Sequence, residues 1–318
     1  MSKTPVVKRT AKGDSKPKYG TKGQVDENDE KPMTLGETLI SWLKTIVSSL
    51  LIVMIINGLL IASFVVPTGS MENEVMAGDF LFVNKFIYGG STPQTIPFFN
   101  TPLPYLRLPG LRDPKRGDVI VFIYPGDRDQ IEPSEFQYYL KRCVATAGDT
   151  LQVKNGVVHV NGVAQPRPAN VKFEPIPMSQ EDHLKTWPRD AGFTRDNWGP
   201  IRIPKEGDVI PLNDSTFEKW RVFVLREGHT LERDGEVMLL DNKPATSYKV
   251  QRDYAFGMGD NRNNSEDSRY WGPLPVENVV GTPLMVYWSW DPNIPFAISS
   301  LGDKLSSIRF GRIFTGVD

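Results

Sequence analysis

From Ile46 to Val66 the chain runs 21 residues without a charged side chain. No other feature limits the fold so sharply. An apolar run of about 20 residues, wound as a helix, spans the hydrocarbon core of a bilayer. A buried core helix would carry a polar face, and this run has none. A cleaved signal peptide fits less well, because 45 residues precede the run and it exceeds the usual apolar region of such peptides. The flanks orient the span. Residues 1–36 hold eight Lys and Arg, Lys44 stands at the entrance, and none occurs from Thr45 to Asn84. The positive-inside rule then places the N-terminus in the cytoplasm and all that follows the span on the exported side. Trp42 falls where aromatic residues favour the membrane interface. Asn57, inside the span, is either a contact for a partner helix or simply tolerated.

Residues 1–36 are polar and mixed in charge, the composition of a disordered tail. Of the 318 residues, those beyond the span suffice for one large or two modest domains. The net charge of −1 gives no basic face for nucleic acid. Proline (26) and glycine (27) are frequent and dispersed, which favours a loop-rich β protein. A single cysteine, Cys143, cannot form an internal disulfide, so the exported part must be held by its core. Cys143 itself reads as a small buried residue rather than a nucleophile.

Short strands are expected at Phe80–Val83, Asp118–Tyr124, Gln137–Val144, Lys219–Leu225, Glu236–Leu240 and Leu284–Trp290, and a short helix at Ile308–Phe314. Asn155-Gly156, between Gln152-Val153-Lys154 and Val157-Val158, is a hairpin signal. Residues 91–110 carry five prolines, too many for a regular element, so an ordered apolar loop or a disordered one is expected; Phe98, Phe99, Tyr105 and Leu106 favour packing or membrane contact. The division expected is a tail (1–36), a membrane helix with its lead-in (37–66), two parts of a β core (67–150 and 250–318), and between them an inserted β-rich subdomain (151–249).

Directly after the span stands Pro67-Thr68-Gly69-Ser70-Met71, which holds a candidate nucleophile at the membrane surface. A serine hydroxyl needs a base to take its proton. His159, His183 and His229 all fall in the inserted block, in no triad-like setting. A lysine kept neutral by burial can serve instead. In an extended Tyr138-Tyr139-Leu140-Lys141-Arg142, Lys141 shares a face with Tyr139 and Cys143, both largely apolar. Its plain alternative is a solvated strand lysine, and Lys85 is a rival base. The Ser-x-x-Lys pairs Ser15/Lys18 and Ser41/Lys44 lie in the tail and at the cytoplasmic entrance of the span, and read as chance.

A third segment carries the recognition: Gly259-Asp260-Asn261-Arg262-Asn263-Asn264-Ser265-Glu266-Asp267-Ser268-Arg269-Tyr270-Trp271-Gly272. With the Ser70 and Lys141 segments, it resembles the sequence boxes of bacterial type I signal peptidases, membrane-bound Ser–Lys endopeptidases. The resemblance implies a mostly β fold: an antiparallel catalytic domain with an inserted subdomain, on one N-terminal transmembrane helix. It implies Ser70 as nucleophile and Lys141, not Lys85, as general base. The Ser70 N–H and the Thr68 hydroxyl, where relatives usually have serine, would form the oxyanion site. Ser265 would hydrogen-bond and orient the lysine. Asp267 with Arg269, and Asp260 with Arg262, would be supporting ion pairs. Phe64, Val66, Met71, Val75, Tyr139 and Leu140 match positions lining shallow pockets for small side chains. Two departures stand out: Asn73-Glu74-Val75 replaces the usual Pro-Thr-Leu, and Asn263 replaces an acidic residue.

The implied activity is removal of signal peptides from exported preproteins after small-x-small motifs, at the bacterial cell (inner) membrane with the catalytic domain periplasmic. Preproteins and membrane lipid are the expected partners, the translocation machinery a further candidate, and neither cofactor nor metal is expected. The rival readings are a specialised envelope peptidase with few substrates, which the Asn73-Glu74-Val75 departure allows, and a non-catalytic assembly factor on the same fold.

Overall fold

The structure, a computed structural model, describes residues 34–92, 104, 106–174, 185–294 and 299–317. Most of the N-terminal tail, Phe98, Phe99, Tyr105 and His183 lie outside these residues. Helix α1 runs Leu35–Leu59 and is long and apolar enough to cross a membrane. Thr34 and Glu37 cap its start, each bonding the other's backbone N–H or hydroxyl at 2.8–3.3 Å.

The expected span at Ile46–Val66 is corrected at both ends. The helix begins earlier, and its last residues are Gly58 and Leu59. The chain then becomes strand β1, Ile61–Val65. A loop from the domain ends the helix: the Ser91 N–H takes the Gly58 carbonyl at 3.1 Å, and the Lys85 N–H takes that of Leu60 at 2.9 Å. Carbonyls that would continue the helix are thus satisfied elsewhere. Beyond it the burial period becomes two, with Ala62 and Val66 buried, Phe64 half-buried, and Ile61 and Val65 exposed.

Eight strands form the main antiparallel sheet: β1, β2 (Asp79–Asn84), β3 (Val119–Ile123) and β4 (Tyr138–Ala145), then, after the inserted block, four more. The block supplies β5 (Thr150–Lys154), β6 (Val157–Val160), β7 (Val163–Ala164), β8 (Trp198–Arg202), β9 (Val209–Pro211), β10 (Leu231–Asp234), β11 (Val237–Leu240), β12 (Lys243–Pro244) and β13 (Ser247–Lys249). The last strands are β14 (Tyr254–Met258), β15 (Leu274–Pro275), β16 (Val279–Ser289) and β17 (Thr315–Gly316). The main order is β1-β2-β16-β3-β4-β14-β15, with β17 on β16. Among the described residues the block's strands pair only among themselves, in sheets of four, three and two. The β5–β6 hairpin turns on Asn155 and Gly156 at φ 48° and 76°, the left-handed pair such a turn requires.

Lys219–Leu225 is not a strand. It lies in helix α2, Asp214–Arg226, because Asn213 caps the N-terminus by accepting the Ser215 N–H while Thr216 accepts the Asn213 N–H. Trp220, Phe223 and Val224 then fall on one buried face at helical spacing. Ile308–Phe314 contains only a 3₁₀ turn at Phe310–Arg312.

Three buried clusters hold the fold. One packs Val66, Met71, Val75 and Leu81 under the start of the sheet, and another packs Ile120, Phe122, Cys143 and Trp271. The largest joins Val144, Phe256 and Met258 to Leu151, Trp198 and Val224, so the inserted block shares its core with the main sheet.

Candidate active site

Ser70 lies in the turn that leaves β1. The chain on either side is pinned, because Val66 and Gly78–Asp79 exchange backbone bonds at 2.9 Å. Asn261 holds the turn from across the cleft: its N–H donates to the Ser70 carbonyl at 3.0 Å, and its amide donates to the Gly69 carbonyl at 3.1 Å and to Glu72 at 3.0 Å. Gly259 permits this approach, since a Cβ there would overlap Ser265 Oγ and the Ser70 carbonyl.

Lys141 comes from β4, between β3 and β14. Its Nζ lies 2.9 Å from Ser70 Oγ, and the residue is only 4% exposed. Ile120 is its partner on β3, and Gly257 on β14 leaves room for its stem. Burial pushes its pKa from 10.5 to about 8; Asp267 and Glu266 oppose the shift and Arg269 adds to it. Lys85 is also pushed to about 8, by burial and by Arg107. Acidity therefore does not separate the two lysines, and position does: Lys141 lines the cleft that contains Ser70, and Lys85 does not. Cys143 is fully buried, its thiol pushed up to about 12 by burial, in keeping with a packing role.

Thr68 Oγ1 stands 3.5 Å from Ser70 Oγ. No acceptor takes the Ser70 N–H among the described residues. Ser265 is buried in the same cleft, but its hydroxyl does not bond Lys141; it has no partner among the described residues. The expected lysine-orienting bond is therefore not formed here, because Lys141 Nζ is directed to Ser70.

The Asp267–Arg269 pair is present and fully buried, with Nε–Oδ1 at 2.8 Å and Nη2–Oδ2 at 2.7 Å. Burial works against the Asp267 charge, but Arg269, the Gly259 N–H and Lys141 together outweigh it and hold the carboxyl below its usual range. Asp267 also accepts the Gly259 N–H at 3.0 Å and so ties the pair to the cleft.

The Asp260–Arg262 pair is not formed. Asp260 pairs with Arg142 through Nε–Oδ1 at 2.9 Å and Nη2–Oδ2 at 2.7 Å, while Arg262 Nε donates to the Gly259 carbonyl. Alternation explains the exchange: Arg142 points from β4 opposite to Lys141, directly beneath the Asp260 loop. Glu74, one of the departures, lies 3.6 Å from Arg142 and accepts from Asn170 at 2.7 Å.

Phe64, Val66, Met71, Tyr139 and Leu140 line the cleft, whose volume is about 560 Å³. Val75 does not; it is fully buried in the cluster behind Met71. Sequence reasoning missed Arg142 and Asn261 as site supports, although both stand in quoted motifs. His159 bonds the Val157 carbonyl, and His229 bonds Asp241 and Gln251, away from the Ser70 cleft. Among the described residues no His, Cys, Asp and Glu cluster could hold a metal.

The arrangement is that of a hydrolase: a hydroxyl in contact with a buried amine of lowered basicity, in a cleft with one apolar and one polar wall on an antiparallel sheet. The family model described as signal peptidase, peptidase S26, matches residues 39–288. The chain belongs to this family of serine endopeptidases. It is 28% identical to signal peptidase I of Helicobacter pylori over 293 residues, covering 87% of this chain and 91% of that protein. It is also 28% identical to signal peptidase I of Pseudomonas aeruginosa over 287 residues, with 86% and 82% covered. The Aquifex aeolicus signal peptidase I is 26% identical over 265 residues, with 82% and 88% covered. Helix α1 suits a membrane-bound member of this family.

Proposed function

We propose that this protein removes N-terminal signal peptides from exported preproteins by a Ser–Lys mechanism. The observation that carries this reading is the 2.9 Å approach of buried Lys141 to Ser70 Oγ. Neutral Lys141 takes the Ser70 proton as Oγ attacks the scissile carbonyl. The Ser70 N–H and the Thr68 hydroxyl receive the developing oxyanion, where preorganised donors act most strongly. Lys141 returns its proton to the leaving amine, and it then activates the water that hydrolyses the acyl-enzyme. Ser265, buried beside these groups, holds the amine once the serine oxygen is acylated and no longer holds its proton. Asp267–Arg269, Asp260–Arg142 and the Arg262–Gly259 contact keep the loop in place.

The apolar wall of the cleft, with Phe64, Val66, Met71 and Leu140, suits small P1 and P3 side chains, as in a small-x-small site after an apolar segment. The Lys and Arg distribution supports a cytoplasmic tail and an exported, periplasmic catalytic domain with 151–249 as its inserted part. Anchoring in the bilayer raises the effective concentration of a substrate whose apolar segment lies there. The test is incubation of the purified protein with a preprotein in detergent, the cut mapped by mass spectrometry. Ser70→Ala and Lys141→Ala should each abolish cleavage while remaining folded; near-normal turnover in either would refute the assignment.

A further inference from the structure

A second cavity, of about 310 Å³, shares no lining residue with the Ser70 cleft. Four arginines line it: Arg116, Arg142, Arg167 and Arg262. Two have carboxylate partners, Arg142 on Asp260 at 2.7 Å and Arg116 on Asp149 at 3.7 Å. Arg167 and Arg262 have none among the described residues. Arg262 is only 4% exposed, and among the described residues its guanidinium makes one hydrogen bond, from Nε to the Gly259 carbonyl, with no acceptor for its terminal nitrogens. Arg167 is exposed, its guanidinium 4.9 Å from the centre of the Phe173 ring.

A guanidinium stays charged at any ordinary pH and presents a fork of donors. Burying one without a counter-charge is costly. Burial and neighbouring Arg269 push Arg262 down to about 10, with Arg167 adding and Asp267 and Asp260 opposing. The planar fork matches phosphate oxygens in a bidentate fashion. We propose that this cavity binds a small oxyanion of the phosphate class, held by Arg262 and Arg167. The two arginines come from segments that already run side by side: the Lys172 N–H bonds the Asp260 carbonyl at 2.8 Å and the Arg262 N–H bonds that of Lys172 at 2.9 Å. A bound anion would clamp the inserted block onto the loop that carries Asn261. Its first effect is then on stability rather than on the chemical step.

The test uses the full chain in detergent, in phosphate-free and sulfate-free buffer. Inorganic phosphate is titrated at constant ionic strength against chloride, with Tm and binding heat as readouts. A saturable rise in Tm is expected, with affinity at least tenfold weaker in Arg167→Ala and in Arg262→Gln. Arg167 is on the surface, so its variant decides the matter if Arg262→Gln does not fold. Dihexanoyl phosphatidylglycerol, below its micelle concentration, distinguishes the sources. Tighter competition than phosphate assigns the site to a lipid headgroup; weaker or no competition assigns it to free phosphate. No saturable rise, or one of equal size in Arg167→Ala, overturns the proposal and leaves water alone in the cavity.

Discussion

Lys141→Met should abolish activity and yet stabilise the protein at neutral pH. Folding lowers the Lys141 pKa from 10.5 to about 8. At 1.36 kcal/mol per unit, the folded state loses about 3 kcal/mol at pH 7 by carrying a proton there. Methionine has a similar length and no charge to desolvate. Its loss is the bond to Ser70, about 1 kcal/mol. The expected gain is therefore about 2 kcal/mol, or roughly 4–8 °C in Tm for a chain of this size. The pH dependence identifies the cause. The unfolded chain holds the proton up to about pH 10.5, and the folded chain releases it near 8. Wild-type stability from this group therefore rises with pH across that window. The advantage of Lys141→Met should be full below pH 8, vanish inside the window, and become a deficit of about 1 kcal/mol above about pH 10.5, where only the lost bond to Ser70 counts. Wild-type cleavage should rise about tenfold per pH unit up to a limb near 8, since only the neutral amine is a base. Thermal melts by circular dichroism from pH 6 to 11, beside kcat/KM over the accessible range, test both. A Lys141→Met protein less stable than wild type at pH 7, an advantage independent of pH, or a rate limb near 6.5 would refute the reasoning.

Arg142→Met should cost about 3–5 kcal/mol, because it strands the buried Asp260 carboxylate. The double variant Arg142→Met/Asp260→Leu should recover most of that loss in urea melts, and no recovery would count against the pair. A preprotein with Phe at P1 should be cleaved poorly, since a bulky group strains a shallow pocket by about 1–3 kcal/mol. Efficient cutting there would contradict the pocket formed with Val66 and Leu140. Protease added to spheroplasts should digest the domain beyond Ser70 and spare residues 1–36. Protection of the domain until lysis would reverse the orientation.

Where local chemistry settles structure, the sequence was legible. Asn155-Gly156 specified its hairpin, and the β-branched Val119–Ile123 segment could bury both faces only within a sheet. The alternation of Tyr139, Lys141 and Cys143 anticipated one shared face, on which Lys141 is buried, because strand period depends on the backbone alone. Local pattern failed where two periods fit one composition. The aromatic and β-branched run in α2 looked like strand, and only the Asn213 cap, weighed with the spacing of Trp220, Phe223 and Val224, separates the readings.

The sequence by itself determined the family, the apolar helix, the mostly β architecture, and the segments that supply Ser70, Lys141 and Ser265. Each of these is written in contiguous residues or in short-range period. Tertiary structure alone decided where α1 stops, because Ile61–Val65 is as apolar as the helix and becomes strand by pairing with Phe80–Asn84. It alone gave Asp260 to Arg142, moved Val75 out of the cleft into the core, and left Arg262 without a carboxylate partner among the described residues. The family resemblance had already favoured Lys141 over Lys85; the fold adds the physical reason, since burial lowers both and Lys141 is the one that reaches Ser70. Charge partners and contacts depend on which segments the sheet order brings together, and residues far apart in sequence carry no local mark of that.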